Sequence, residues 1–227
     1  MILINKFLII VLLVLINLNY YKKENNENNI SIFTNIYENN VWGNNGENKY
    51  NGSSGDGSTI NYNLPKYIPF VIDFIKNNNI KKIVDLGCGD WQSSHLIYNN
   101  LDVDYVGYDA YKKIIDNNNK KFSKYKFINL DFINDKEKIE NGDLCIIKDV
   151  LQHLCKDDII SLLDYLVYNK KFKHILVINC CIGANENIDI KNGDFRPLSI
   201  LQYPLNKYNG KKLINYNTKE ISVINIF

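Results

Sequence analysis

Between residues 82 and 179 short apolar runs alternate with stretches of helical period, and few architectures accommodate that rhythm. The runs at 82–86, 104–108, 126–130, 143–148 and 174–179 have the length of buried strands. Between them, 91–99, 110–120 and 156–168 carry helical spacing. Ahead of them Leu64, Tyr67, Ile68, Val71, Ile72 and Ile75 fall three or four apart, which predicts an amphipathic helix over 64–78. Strands separated by helices pair in parallel through right-handed crossovers. Residues 180–205 lack a helical period. Two further runs, 211–216 and 220–226, are joined only by Asn217-Thr218-Lys219, too short a link for a crossover, so they pair antiparallel. The expected fold is α/β: a doubly wound, mostly parallel seven-stranded sheet that ends in a C-terminal antiparallel hairpin.

Composition bounds the rest. With 227 residues, 45% of them hydrophobic, the chain can fill one core comfortably but not two. A net charge of +2 leaves no strong nucleic-acid signature. The five cysteines, at 88, 145, 155, 180 and 181, make no C-x-x-C pair. His153 with Cys155 is too little for a zinc site, so no metal is expected and a reducing compartment fits. Residues 7–16 are unbroken apolar, with Lys6 before and Lys22-Lys23 behind. That length suits a signal-peptide core, yet no small-residue cleavage site follows it. A removed signal, an uncleaved anchor over residues 1–18 with membrane association, and an apolar helix lying on a surface are all open, and localisation with them. The sequons Asn29-Ile30-Ser31 and Asn51-Gly52-Ser53 would suit secretion, though a chain this rich in Asn produces such triplets by chance. The expected division is an apolar signal or anchor segment at 1–21, a polar segment with a Gly/Ser loop at 22–59, and a catalytic domain at 60–227.

The chemistry concentrates where the first strand turns: Ile83-Val84-Asp85-Leu86-Gly87-Cys88-Gly89-Asp90-Trp91. Glycine in such a turn permits positive φ and lets the backbone approach a ligand. The expected helix after it begins near Asp90. A dinucleotide fold needs a third glycine three residues on, where this chain has Gln92. Asp85 and Asp90 add negative charge where a pyrophosphate would want none. A short-chain dehydrogenase would also want Tyr-x-x-x-Lys, but Tyr165 is followed by Asn169. Asp109 ends the next strand, where a carboxylate can accept from hydroxyls.

Asp85-x-Gly87-x-Gly89 joined to Asp109 resembles the class I S-adenosylmethionine-dependent methyltransferases, over about residues 60–227. The resemblance implies a Rossmann-like methyltransferase fold and S-adenosyl-L-methionine as cofactor. It places Asp85, Gly87 and Gly89 against the methionine part and Asp109 on the ribose hydroxyls. It gives Asp131 and Phe132 the adenine contact; an ordinary cap after the strand is the other reading of Asp131. Trp91 either walls the cofactor pocket or packs in the core. Lys148 either lines the cofactor site or bonds a loop. A narrower group of little-characterised class I methyltransferases shares, in the same order, Trp42-Gly43, the Gly/Ser cluster at 52–58, Gly89-Asp90-Trp91, Lys148-Asp149-Val150-Leu151-Gln152-His153-Leu154 and Gly193-Asp194-Phe195-Arg196-Pro197-Leu198. That likeness implies that 52–58 folds over the cofactor; on composition alone it is a linker.

In an open parallel sheet, ligands bind beyond the carboxyl ends of the strands where strand order reverses. Asp149 and His153 are four apart there, so a short helix would set both toward the crevice. Methyl transfer needs alignment, and a base when the acceptor is a hydroxyl; Asp149 or His153 could supply it, while a structural His153 stays open. Arg196 is the single arginine in a lysine-dominated chain, so its planar fork has a specific task. That task is an ion pair with Asp194 or Asp149, or an anionic substrate group. Lys148-Asp149-Val150-Leu151 does not match the Pro-Pro-aromatic motif of base-amine methylation, and no Lys-Asp-Lys-Glu set is evident. A small-molecule or glycan hydroxyl acceptor is left by elimination. A non-catalytic nucleotide-binding scaffold and a protein or RNA methyltransferase are the alternatives.

Overall fold

The computed structural model describes residues 28–43 and 53–227. Its strands are β1 (Lys82–Leu86), β2 (Asp104–Asp109), β3 (Lys126–Asn129), β4 (Leu144–Lys148), β5 (His174–Cys180), β6 (Lys211–Tyr216) and β7 (Lys219–Asn225). They form one sheet in the order β3-β2-β1-β4-β5-β7-β6. β1 to β5 are parallel, and β7 lies antiparallel between β5 and β6. Strand order reverses between β1 and β4, which puts the crevice beyond those two carboxyl ends. The doubly wound, mostly parallel α/β sheet with its terminal hairpin is therefore present as the pattern of apolar runs implies.

Alternation along the strands divides the core in two. Ile83, Tyr105, Leu144, Ile146 and Leu176 face one side and Val84, Val106, Cys145, Ile147 and Val177 the other. The first face is covered by α3 (Tyr67–Asn77) through Val71 and Ile75, by α4 (His95–Tyr98), and by Ile114 and Ile115 of α5 (Lys112–Lys121). The second is covered by α6 (Lys156–Tyr168) through Ile159, Leu162, Leu163 and Leu166.

Two expected helices differ. The helix over 64–78 divides: Pro65 has no N–H to continue the short α2 (Ile60–Asn63), and α3 starts afresh at Tyr67, with Pro69 tolerated in its first turn. The helix over 91–99 shrinks to the four residues of α4, because Trp91 sits at φ +56°, a left-handed conformation that no helix interior accommodates. The polar segment before residue 59 holds a helix that composition concealed, α1 (Asn29–Glu38), capped by Asn28 Oδ1, which accepts from Ile30 N at 3.0 Å. Asn29, the acceptor residue of one sequon, is buried in the groove, so this fold leaves that amide no access for a glycan. The other sequon's Asn51 and the apolar run at 7–16 lie outside the described residues. No helix among the described residues is long and apolar enough to cross a membrane.

Trp91 is a core residue that also borders the groove beyond the end of β1. Its side chain is 1% exposed and its ring lies 4.7 to 5.9 Å from those of Tyr98, Tyr105, Phe122, Tyr125 and Phe127. Its Nε1 donates to the Tyr105 hydroxyl at 2.7 Å, and that hydroxyl donates to Asp85 Oδ2 at 2.8 Å. The indole so anchors the position of Asp85 from beneath. Trp91→Ala should cost roughly 3–5 kcal/mol of stability, the usual range for emptying an aromatic core site. Tyr105→Phe should cost about 1–3 kcal/mol by stripping the partner from a buried N–H. Denaturant midpoints would measure both; a Trp91→Ala midpoint equal to that of the parent protein would mean that the indole carries no core packing.

Candidate active site

The turn after β1 is held by its neighbour. Gly87 N and Cys88 N both donate to the carbonyl of Tyr108 on β2, at 2.8 and 3.0 Å. Gly87 is at φ +80°, and a Cβ there would lie 2.2 Å from Cγ2 of Val150, so glycine is required on two counts. Gly89 N donates to Asp109 Oδ2 and Tyr111 N to Asp109 Oδ1, each at 3.0 Å. The acid at the end of β2 thus ties the glycine turn to the start of α5. Asp109 is buried, and burial raises its carboxyl to about 6 despite the backbone donors. Burial likewise raises Asp85 to about 7, with the Tyr105 hydroxyl and the Lys148 ammonium opposing.

A roof of N-terminal residues covers this turn. Tyr37 of α1 stacks on Tyr111 with centroids 4.7 Å apart and rings 8° from parallel. Its hydroxyl meets Ser54 Oγ at 2.9 Å. Asp90 N donates to Ser54 Oγ at 2.8 Å, while Asp90 Oδ2 accepts from Ser54 N and from Ser58 Oγ, each at 3.2 Å. The Gly/Ser loop therefore packs on Asp90, and Asn29, Phe33 and Tyr37, one helical turn apart, line the groove. These three were missed in the sequence. Their four-residue spacing was the available signal, drowned by the surrounding asparagines.

The carboxyl end of β4 supplies the opposite wall. Lys148 Nζ donates to Gly57 O and to Asp149 Oδ2, both at 2.7 Å, and lies over the Tyr67 ring. Lys219, first residue of β7, also donates to Asp149 Oδ2. Burial alone would raise the Asp149 carboxyl, but the two ammoniums hold it below the ordinary range. A carboxylate between two cations is a weak proton acceptor. Asp149 Oδ1 is buried and without a hydrogen-bond partner among the described residues. His153 follows in a short turn of helix, Leu151–His153. His153 Nδ1 lies 2.8 Å from the carbonyl of Asp194, so it carries the proton and Nε2 the lone pair. Desolvation by burial lowers the His153 pKa below its ordinary value, with the Asp194 carbonyl opposing, so the ring is neutral at neutral pH. Trp42 lies 4.9 Å from the imidazole and Phe195 5.7 Å.

Asp85, Gly87, Gly89, Asp109, Asp131, Phe132, Lys148, Asp149 and His153 all border one groove beyond the ends of β1, β2 and β4. Asp131 caps the following turn, accepting Ile133 N and Asn134 N at Oδ1, so its capping role is real even as it borders the groove. Arg196 departs from expectation. Its side chain is 2% exposed, outside the groove, and its partner is Asp189, Nη1 to Oδ1 at 3.3 Å, rather than Asp194 or Asp149. Arg196 N donates to Gln152 O and Gly193 N to His153 O, so this segment braces the His153 turn from outside. A second cavity adjoins the groove, lined by Tyr62, Phe195 and Lys219 among others, and it shares Trp42, Ser54, Asp149 and His153 with the groove.

No known family model and no curated protein matches the sequence. Solved structures do. The methyltransferase domain of bacterial CtHen1 is similar at a TM-score of 0.56 and 10% identity, over 74% of this chain and 99% of that one. PigF with SAH is similar at 0.54 and 11% identity, over 74% and 64%. Human N-acetylserotonin methyltransferase in complex with SAM is similar at 0.53 and 15% identity, over 68% and 50%. At such identities the likeness speaks for the fold.

The two buried acids give a check on the groove that needs no ligand. Their folded pKa values lie above the unfolded value, so the folded chain binds these protons more tightly, and their contribution to stability falls as pH rises from about 4 through 7. Carboxyl-carbon NMR of the free protein should find two groups titrating near 6 and 7. Asp109→Asn should remove the lower one; two ordinary carboxylates near 4 would mean the groove is more hydrated than this.

Proposed function

We propose that the chain is an S-adenosylmethionine-dependent class I methyltransferase acting on a hydroxyl of a small molecule or glycan. One observation carries the reading: two adjoining cavities meet at His153 and Asp149, one walled by the glycine turn and the buried acids, the other by aromatic rings. A cofactor groove and an acceptor pocket with a proton acceptor between them is the layout methyl transfer requires. The solved methyltransferases that share the fold lend support, two of them in complex with SAM or SAH.

The residues fit that cofactor. Asp109 keeps free lone pairs for ribose hydroxyls beside those given to Gly89 and Tyr111. Phe132 and the remaining oxygen capacity of Asp131 border the place for a flat base. The unpartnered Oδ1 of Asp149 is a buried acceptor awaiting a donor, which an amino-acid ammonium would supply, and Lys148 offers the matching cation. When bound, the cofactor supplies a methyl group already activated by a positively charged sulfur. The chain's own work is to exclude water beneath the 53–58 loop, to align the acceptor oxygen and to take its proton at Nε2 of His153. Gln152 stands beside that atom: its Oε1 accepts from Cys180 N at 2.8 Å, which turns its amide Nε2 toward His153 Nε2 at 3.4 Å, so an acceptor hydroxyl has to take the place of that amide at the lone pair.

Calorimetry with S-adenosylmethionine and its demethylated product should give saturable binding, and radiolabelled transfer to a fractionated lysate should place the label in small molecules or carbohydrate. Absence of binding would remove the reading; binding without transfer would favour a scaffold. Asp109→Ala should weaken cofactor binding tenfold or more, on the order of 1.4 kcal/mol, with the fold intact. His153→Ala should lower turnover roughly 10²- to 10⁴-fold while cofactor affinity stays within about twofold; full activity would return His153 to a structural role. Hydroxyls donate better to the ionised form of Asp109, so cofactor affinity should fall by up to about tenfold per pH unit below about 6. Titrations at pH 8, 6 and 5 would read this, and an affinity flat with pH would sever Asp109 from the ribose.

A further inference from the structure

The second cavity has a composition the cofactor does not explain. Three half-buried or exposed aromatic side chains surround it: Trp42, Tyr62 and Phe195, the last 54% exposed. They come from three separate segments of the chain, and large rings left open to water around one mouth mark a binding surface. At its inner end lies Lys219, whose side chain is only 4% exposed. Its ammonium has one hydrogen-bond partner among the described residues, Asp149 Oδ2, and sits 5.0 Å over the Tyr62 ring. Three N–H donors with one acceptor leave two to fill.

The charge count points the same way. Lys148 and Lys219 share a single oxygen of a single carboxylate, and the other buried acid nearby, Asp85, acts on Lys148 and not on Lys219. Lys148 is also satisfied by the carbonyl of Gly57 and the Tyr67 ring, and it borders the cofactor groove. Lys219 borders the other cavity. Gly57 closes over the pair, since a Cβ there would lie 2.6 Å from Lys219 Nζ and 3.0 Å from Asp149 Oδ2. Asp56 also lines the cavity but is exposed at the mouth, where water screens it. A buried, under-partnered cation behind a ring of aromatic faces selects for a flat anion.

We propose that this cavity is the acceptor site and that it takes a small ring-shaped molecule bearing both a hydroxyl and an anionic group, the ring against Trp42, Tyr62 and Phe195 and the anion on Lys219. The methyltransferase reading supplies the reaction; the binding preference stands apart from it. The shared chemistry covers two sources, an aromatic hydroxy acid and an acidic sugar.

The test titrates 4-hydroxybenzoate and glucuronate into the full chain, each beside its neutral counterpart, 4-hydroxybenzamide and glucose, with and without the demethylated cofactor. At least one acid should bind tenfold or more tightly than its neutral partner, and which acid does so identifies the source. Lys219→Gln should abolish that preference, and Lys219→Arg should keep most of it. Circular dichroism and the denaturant midpoint confirm that each variant is folded. The proposal is overturned if neither acid binds, if acid and neutral partner bind alike, or if Lys219→Gln keeps the preference. It is overturned equally if Lys219→Gln weakens the demethylated cofactor instead, since the anion would then be the cofactor's own carboxylate. Loss of cofactor binding in the parent chain with acid preference retained would sink the methyltransferase reading and leave this one standing.

Discussion

The half-buried carboxylate of Asp149 lies between two ammoniums, and most of the site is arranged around that cluster. Lys148 comes from the end of β4, Lys219 from the start of β7, and the carbonyl of Gly57 from the loop above. Taking three charges out of water is costly, and a cluster of this kind persists only when each member is held in place by its surroundings. Here the holding is topological. β7 pairs with β5 from Cys180↔Lys219 to His174↔Asn225, which delivers Lys219 to the carboxyl edge of the sheet. The cluster thereby joins the terminal hairpin, the centre of the sheet and the N-terminal loop at the junction of the two cavities.

A second set of buried acids works in the opposite sense. Asp85 and Asp109 form no ion pair among the described residues, Lys148 acting on Asp85 only from a distance, and they carry raised pKa values because burial penalises their charge. A groove that holds under-compensated carboxylates is poised for hydrogen-bond donors. Trp91 and Tyr105 fix Asp85 from the core, while Gly89 and Tyr111 fix Asp109 from the backbone. Donors that arrive meet acceptors already oriented, so little ordering cost attends binding.

Some of this was legible in the residues before any coordinates. The strands from β1 to β7 fall where the apolar runs do, and α6 occupies the segment its period marks. The glycine turn, Asp109 and the β4 terminus converge on one groove as their positions at strand ends require. Other parts were hidden. α1 was masked because asparagine diluted a periodicity that Phe33 and Tyr37 still carried. The helix after the glycine turn was overestimated because nothing in Asp90-Trp91-Gln92 announces a left-handed backbone. Trp91 could be core or pocket in the sequence, and the structure gives it both places, its N–H on Tyr105 and its edge at the groove. Arg196 was assigned the right kind of partner and the wrong residue, since Asp189 reaches it only through the irregular path of 180–205.

What the sequence determined by itself was the sheet and the place of its ligand edge, because strand period and loop length act locally and need no partner to be read. The glycine turn belongs to the same class: positive φ and close approach are properties of the residue. Tertiary structure alone decided which charges face one another. Lys219 lies 70 residues from Asp149 and Ser54 36 residues from Asp90, distances that no local pattern spans. Electrostatic and hydrogen-bond partnership depends on separation in space, which the chain acquires only once strands from distant segments have paired. The fold was therefore written in periodicity. The division of the site into a groove lined by buried acids and an adjoining cavity lined by aromatic rings and Lys219 was set by packing.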